Sequence, residues 1–139
     1  MVTLENLFIM DLASLHLNLF RMGNSESPSF SETRGLKDCL VVEVNGILVI
    51  RANGNGFSAF DSITPLMKEK GKNIWKIKKN AILPDGIRVV KDMRPNHKGH
   101  FMLAPERDMP FLKYIGLLEE FGIDPNKSVK LNPLEIKNG

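Results

Sequence analysis

The sequence contains one cysteine, no long hydrophobic run and only a small excess of positive charge, formally +3 at pH 7. A lone Cys39 cannot form an internal disulfide, which suits a protein that folds or acts in a reducing compartment. Because Cys39 lies in the apolar run 39–42, we expect a buried, inert thiol rather than a nucleophile. No apolar run approaches the ~20 residues of a membrane span, so no membrane partner is expected.

The first residues also lack the features of a cleaved leader. They carry Glu5 and Asp11 and have no basic segment, and the apolar stretch 7–10 is too short for a signal peptide. If the protein leaves the cell that makes it, we therefore expect export by a route without a cleaved signal peptide.

The length and composition indicate one globular domain. A chain of 139 residues is the usual size of a domain, and we expect a single domain over residues 1–139. The apolar fraction of 42% and the charged fraction of 25% are ordinary for such a domain. A core of this size needs neither a metal nor a disulfide, and no metal site is predicted.

The positive charge is concentrated between residues 68 and 79, where several lysines surround Trp75. A basic cluster with an aromatic ring can bind nucleic acid. Glu69, Asn73 and Asn80 interrupt this cluster, however, and Trp75 is the one ring within it. A solvated strand face is therefore the favoured interpretation, and nucleic-acid binding is kept as a less favoured alternative.

Two strand pairs are predicted from local sequence. Asn45-Gly46 supplies the two positive-φ positions of a type I′ turn between β-branched runs, so residues 38–52 are predicted to form a tight hairpin. The stretches 86–91 and 100–104 are predicted strands joined by the turn-rich loop 93–99. His100 opens the second of these strands, opposite an apolar face formed by Phe101 and Leu103.

The remaining elements are predicted from caps and periodicity. A strand is expected from Leu15 to Arg21, and a further strand at 73–79. A short helix capped by Asp61 or Ser62 should end at Gly71, and a core helix capped by Asp108 should span about 109–121. We expect residues 1–13 to be a helical or irregular lead-in and residues 123–139 to be an extended or loose tail.

The glycine-rich loop 53–56 delivers Ser58, and two interpretations of it stay open. Small, flexible residues before a serine permit the close approach of a phosphate or sugar. An ordinary connection between two strands has the same composition, and the loop alone favours that interpretation.

Three stretches carry a resemblance to a known family. Phe20-Arg21 ends the first predicted strand, and the run GFSAFD at 56–61 follows the hairpin. The third stretch joins 83–92 to the run HFMLAP at 100–105 and continues to Phe121. In this order and spacing they resemble the type VI secretion exported toxins of the ADP-ribosyltransferase fold. The resemblance covers roughly residues 15–121 and omits the lead-in 1–13 and the tail 123–139.

The resemblance implies an α+β fold with a split antiparallel β-sheet core and short flanking helices. It also implies an enzyme, an NAD-dependent ADP-ribosyltransferase that is toxic in the cytoplasm of a recipient cell. In the producing cell a cognate immunity protein is expected to neutralise it. The sequence does not define the acceptor of the ADP-ribose in the target cell.

The resemblance also assigns roles to individual residues. Arg21 resembles the first-strand arginine that holds a cofactor phosphate, Ser58 the serine that orders the nicotinamide side of the cleft, and His100 the functional histidine. These three are the predicted catalytic residues, and we expect them to converge on one cleft. Each also has an ordinary interpretation: a surface charge, a turn residue and a packed imidazole, respectively.

A wall of the cofactor site is expected next to Ser58. Asn55 and Gly56 should form it through their backbone. Phe57 stands where the family has threonine, and it either packs inward or stacks on the nicotinamide. The chain has no Glu-x-Glu motif of the kind that conventional ADP-ribosyltransferases use.

A second class of function is a transferase-fold module that binds a host protein or a nucleotide without turnover. Consumption of NAD by the purified protein separates this class from the enzyme. Steep salt dependence of DNA or RNA binding would instead indicate the nucleic-acid alternative.

Overall fold

The computed structural model describes residues 1–10 and 12–139, and this part of the chain forms a mixed α+β fold with antiparallel sheets, as predicted. The strands are β1 Leu7–Met10, β2 Leu19–Met22, β3 Val41–Val44, β4 Ile47–Ile50, β5 Phe57–Phe60, β6 Ile74–Ile77, β7 Ile87–Asp92, β8 His100–Pro105, β9 Met109–Pro110 and β10 Ser128–Lys130. The helices are α1 Glu32–Asp38, α2 Pro65–Lys70, α3 Phe111–Ile123 and α4 Pro133–Asn138, and a 3-10 turn lies at Leu4–Asn6.

Two antiparallel sheets organise these elements. The larger has seven described strands in the order β1-β7-β8-β5-β2-β6-β10, and the smaller has three in the order β3-β4-β9. Among the described residues, β2 and β5 share one ladder pair, Phe20 with Phe60. The centre of the large sheet is therefore weakly joined, and its two halves part beside this pair.

The main core lies on the face of the large sheet that packs against α3. Phe57, Leu103, Tyr114 and Leu118 are fully buried there. Two smaller apolar clusters cover parts of the opposite face. One contains Val2, Val90, Met102 and Ala104, and the other contains Met67, Ile74, Leu131 and Ile136.

The two strand pairs predicted from local sequence are confirmed. Asn45 and Gly46 have φ values of 51° and 81°, and they join β3 to β4. β7 and β8 pair in antiparallel fashion on either side of the loop 93–99. These elements were predictable because turn chemistry and alternation are local properties of the chain.

The first half of the chain differs from the prediction in three places. The lead-in contains a strand, β1, which pairs with β7 at the edge of the large sheet; Asp11 lies outside the described residues. The strand expected from Leu15 begins at Leu19. The helix α1 was not predicted, although Ser31 caps it through a bond from the Arg34 backbone N–H.

The second half differs at two caps and in the tail. Thr64, rather than Asp61 or Ser62, caps α2, which ends at a left-handed Gly71 as expected. Asp108 does not begin α3; it accepts a hydrogen bond from the Ala52 N–H and pairs with Arg51. The tail is ordered rather than loose, because it forms β10 and α4, the latter with a capping box between Asn132 and Glu135.

No helix in residues 1–10 and 12–139 has the length and apolar character that crossing a membrane requires.

The close approach of β5 to β8 depends on Gly56. A Cβ at this position would overlap the backbone of Leu103 and Ala104. We predict that Gly56→Ala lowers the free energy of unfolding by about 1–3 kcal/mol, because rigid backbone has to move. Gly116→Ala is the matched control. A Cβ at this position would meet open space on the exposed face of α3, and the substitution should raise the free energy of unfolding by about 1 kcal/mol. Urea denaturation measures both, and equal effects would contradict the packing argument.

Cys39 is buried, and its Sγ lies 3.9 Å from the hydroxyl of Tyr114. Burial raises the pKa of the Cys39 thiol to about 12. We predict that a disulfide reagent modifies Cys39 at pH 8 only as fast as the protein unfolds, and not at the faster rate of an accessible thiol. Because the unfolded thiol ionises near pH 8.5, the contribution of Cys39 to stability should fall as the pH rises above that value. Rapid labelling of the native protein would contradict this placement.

Candidate active site

Three neighbouring strands bring Ser58, His100 and Asp92 together. β8 lies between β5 and β7, with His100 opposite Phe60 in one ladder and Phe101 opposite Lys91 in the other. Ser58 is two residues from Phe60, so alternation places its side chain on the same sheet face as His100. On this face the side chains of Ser58 and His100 lie between the two smaller apolar clusters, and both are partly exposed.

Hydrogen bonds connect the three side chains in series. His100 Nε2 lies 2.8 Å from Ser58 Oγ, and His100 Nδ1 lies 2.8 Å from Asp92 Oδ2. A carboxylate can only accept, so Nδ1 carries the proton and donates it to Asp92. In the neutral ring of this tautomer, Nε2 is the acceptor for the Ser58 hydroxyl. We call this hydrogen-bonded series the relay; its order of acid, histidine and hydroxyl is the one by which some enzymes increase the negative character of a serine oxygen.

Asp92 stays ionised although its side chain is fully buried. Burial by itself would raise the pKa of this carboxyl. The hydrogen bonds from Arg94 and His100 outweigh that effect and hold the pKa of Asp92 well below its usual range. Arg94 donates through Nη2 at 2.7 Å and through Nε, and its backbone N–H also bonds Asp92 Oδ1. The relay therefore ends in a fixed negative charge.

Arg21 reaches the site through the backbone of Ser58. Its Nη1 donates to the Ser58 carbonyl at 2.7 Å, while Nε and Nη2 donate to the carbonyls of Pro28 and Ser29. The guanidinium carbon also lies 4.7 Å from the ring centre of Phe30. Burial lowers the pKa of Arg21 to about 10, which leaves it cationic at neutral pH. Arg21 and His100 thus both contact Ser58, but from opposite faces of the sheet: the Arg21 guanidinium lies against Phe30 and Phe57 of the main core, whereas His100 bonds the Ser58 hydroxyl on the other face. The predicted convergence of the three side chains on one cleft is therefore present only in part, and most of the guanidinium binds backbone.

A cleft opens where β2 and β5 part. It has a volume of about 190 Å³, and its lining includes Arg21, Ser29, Arg34, Ser58 and Phe60. A larger groove of about 710 Å³ runs between the segment 24–31 and α3, and it also includes Ser29. Ser29 therefore lines both concavities.

The cofactor wall expected beside Ser58 is not part of this cleft. The Asn55 amide bonds both the N–H and the carbonyl of Val2, so it fixes the amino-terminal segment. Gly56 packs on the backbone of β8. Phe57 is fully buried and stacks on Tyr114 with ring centres 5.7 Å apart, which is the inward of its two expected placements. All three positions therefore serve packing, and alternation along β5 turns Phe57 away from the Ser58 side chain.

The sequence prediction missed three side chains at this site: Asp92, Arg94 and Arg34. The signal for the first two was present, since an aspartate at the end of a strand often bonds the backbone two residues on. Arg34 was missed together with α1, which positions it. It is half exposed and pairs with Asp38 at 3.2 Å.

Trp75 is buried, and its indole N–H donates to the carbonyl of Asn24 at 2.9 Å. Its ring therefore supports the 24–31 segment and is not presented for stacking on a base. This placement removes the aromatic component of the nucleic-acid alternative.

Comparison of the chain with protein-family models, with curated proteins and with solved structures gives no match.

The burial of Arg21 sets an expectation for its replacement. We predict that Arg21→Ala lowers the free energy of unfolding by at least about 3 kcal/mol, because three backbone carbonyls lose their donor. Arg34→Ala is the control: it removes one ion pair in which Arg34 is half exposed, and it should lower the free energy of unfolding by less than about 1 kcal/mol. Thermal and urea unfolding measure the difference. An Arg21→Ala protein as stable as the wild type would contradict a stabilising role for the three hydrogen bonds from Arg21 to backbone carbonyls.

Proposed function

We propose that the protein is a toxin that cleaves NAD and transfers the ADP-ribose, with Ser58, His100 and Arg21 at its active site and a split-sheet transferase fold around them. The supporting observation is the contact among residues far apart in sequence. His100 bonds the Ser58 hydroxyl across 42 positions, and Arg21 bonds the Ser58 carbonyl across 37. These are the residues that the family resemblance selects, and both contacts end on Ser58, which lines the cleft where the central strands part.

The reaction makes modest chemical demands. The bond between C1′ of the ribose and the ring nitrogen breaks, and its electron pair goes to nicotinamide, which leaves as a neutral molecule. A bond then forms between C1′ and an oxygen or nitrogen of the acceptor, whose proton is released. The protein has to stabilise positive charge on the sugar and to hold the two reactants in line.

The relay suits this chemistry in a chain without a Glu-x-Glu motif. His100, held by ionised Asp92, accepts the hydrogen bond of Ser58 and increases the negative character of its oxygen. A serine oxygen of this kind can stabilise the positive charge that develops on the ribose. His100 can also take up the proton that the acceptor releases.

The two concavities fit the two halves of a dinucleotide. A cleft of about 190 Å³ at Ser58 is small for a whole cofactor but suits one nucleoside-sized part. The adjoining groove of about 710 Å³ offers room for the other half. Arg34 and the remaining N–H groups of Arg21 lie in the small cleft, where they can meet a phosphate.

The proposed setting is the cytoplasm of a target cell, which the protein reaches by export. A cognate immunity protein would cover the cleft in the producing cell. The formal charge of +3 favours an acidic partner, because complementary charge accelerates association. The proposed acceptor is a nucleophile of the target cell or water.

The enzyme assay measures nicotinamide release from NAD by the purified protein, with and without a bacterial extract as a source of acceptors. We predict turnover by the wild type and a loss of roughly 10²-fold or more in Ser58→Ala, His100→Ala and Asp92→Asn. Ser62→Ala and His16→Ala are matched controls at exposed positions and should retain activity. Expression of the wild type in a bacterial cytoplasm should arrest growth, and the same variants should relieve the arrest.

Two outcomes would overturn this function. One is folded wild-type protein that neither releases nicotinamide nor slows growth. The other is a folded His100→Ala protein with full turnover and full toxicity, which would remove the histidine from the mechanism.

A serine hydrolase is the second candidate, and the relay itself favours it. A serine–histidine–aspartate series with two bonds of 2.8 Å can activate Ser58 for attack on an acyl carbon. Ser58 lies within a strand, however, whereas the nucleophile elbow of α/β-hydrolases is a turn between strand and helix. Labelling of Ser58 by a fluorophosphonate, without nicotinamide release, would select the hydrolase.

A further inference from the structure

The turn between β7 and β8 gathers a set of metal ligands that the mechanism above uses only in part. Asp92, His97 and His100 each offer one ligand atom, and these atoms lie within 4.8 Å of one another. Two imidazoles and a carboxylate are a ligand set for zinc and related divalent ions. We propose that these residues bind a divalent transition-metal ion, with Zn²⁺ as the expected ion, and that its binding stops His100 from acting as a base.

The distances are close to those of a zinc site. His100 Nδ1 lies 2.8 Å from Asp92 Oδ2, and His97 Nδ1 lies 4.0 Å from the same oxygen. Ligand atoms at tetrahedral angles around zinc, each about 2.0–2.1 Å from the ion, stand about 3.3 Å apart. The observed separations fall on either side of that value. His97 is 45% exposed on a turn, so it can move the short distance required.

The positively charged side chain of Arg94 already contacts two of the three ligand residues. Arg94 Nη2 lies 2.7 Å from Asp92 Oδ2 and 3.4 Å from His97 Nδ1, so the guanidinium bridges two of the three ligands. The Arg94 side chain is one-third exposed and can turn outward to solvent. Arg94 and a metal ion therefore compete for one carboxylate oxygen, and the guanidinium lowers the affinity for the metal.

Metal binding changes the proton on His100. When Nδ1 ligates the ion, Nε2 carries the proton of the neutral ring and donates it to Ser58 Oγ. The histidine can then no longer accept a proton from Ser58 or from an acceptor. Zinc is thus a reversible inhibitor, and this consequence, unlike the binding itself, rests on the proposed function.

The binding test is calorimetric titration of the metal-free full chain with Zn²⁺, supported by the visible absorption of Co²⁺ at the same site. One ion should bind per chain. His97→Ala should weaken binding by more than about tenfold, whereas Arg94→Gln should strengthen it by freeing the carboxylate oxygen. His16→Ala is the matched histidine control and should bind as the wild type does. Melting temperatures establish that each variant is folded.

The opposite signs expected for two neighbouring substitutions make the test decisive. Binding that is unchanged in His97→Ala, or not strengthened in folded Arg94→Gln, overturns the site. Arg94→Lys is a second variant should the glutamine protein not fold, and its shorter, compact charge should also strengthen binding.

The regulatory part has its own readout. Zn²⁺ at saturating concentration should abolish nicotinamide release by the wild type, and a chelator should restore it. Full turnover with zinc bound would contradict the proposed inhibition but not the proposed metal site. If the metal-free protein shows no turnover at all, the proposed function fails, and the calorimetric result still decides the site.

Discussion

The buried charge of Asp92 is the constraint on which the site depends. A carboxylate taken fully out of water is costly unless hydrogen-bonded partners compensate for its lost hydration. Arg94 and His100 supply these partners, so their side chains are fixed by the need to solvate one charge. Once His100 is fixed, its second nitrogen points at Ser58. The geometry of the candidate site therefore follows from satisfying a single buried anion at the end of β7.

Arg21 compensates for the weak backbone pairing between β2 and β5. The ladder between β2 and β5 ends at the pair Phe20 and Phe60. Beyond this pair the guanidinium donates to the carbonyl of Ser58 and also to those of Pro28 and Ser29, and so connects β5 to that segment. A side chain thus replaces backbone pairing and leaves a cleft beside the relay. Its stacking near Phe30 holds the charge in place. The opening between the two strands and the stability of the sheet both depend on this residue.

Local signals made part of the fold predictable. Asn45-Gly46 dictates its hairpin because positive φ at two successive positions fits few other turns. The tail carried an equally local signal, Asn132-Pro133-Leu134-Glu135, whose capping box and proline begin α4; its meaning was overlooked because no apolar run follows it. The pairing of β1 with β7 had no such signal, since it joins segments about 80 residues apart that are specified only by the packed sheet.

The site was predictable to the same extent. Ser58 and His100 were selected by resemblance, and the inward placement of Phe57 was one of the two alternatives that the sequence left open. Asp92 was overlooked because its importance comes from burial, which single-sequence patterns do not report. The sequence also did not predict that Arg21 donates to three backbone carbonyls, because a charged residue at a strand end is usually exposed. Likewise, the spacing of Asp92, His97 and His100 gains meaning only when the β7–β8 turn closes.

The central claim is that Asp92, His100 and Ser58 act as one hydrogen-bonded unit. The most direct measurement is nuclear magnetic resonance of the ¹⁵N-labelled His100 ring in the metal-free protein. The account predicts a neutral ring with its proton on Nδ1, a downfield signal for that proton, and an Nε2 that accepts from Ser58; Asp92→Asn should abolish the downfield signal. A neutral His100 ring with its proton on Nε2 in the wild type would contradict the account.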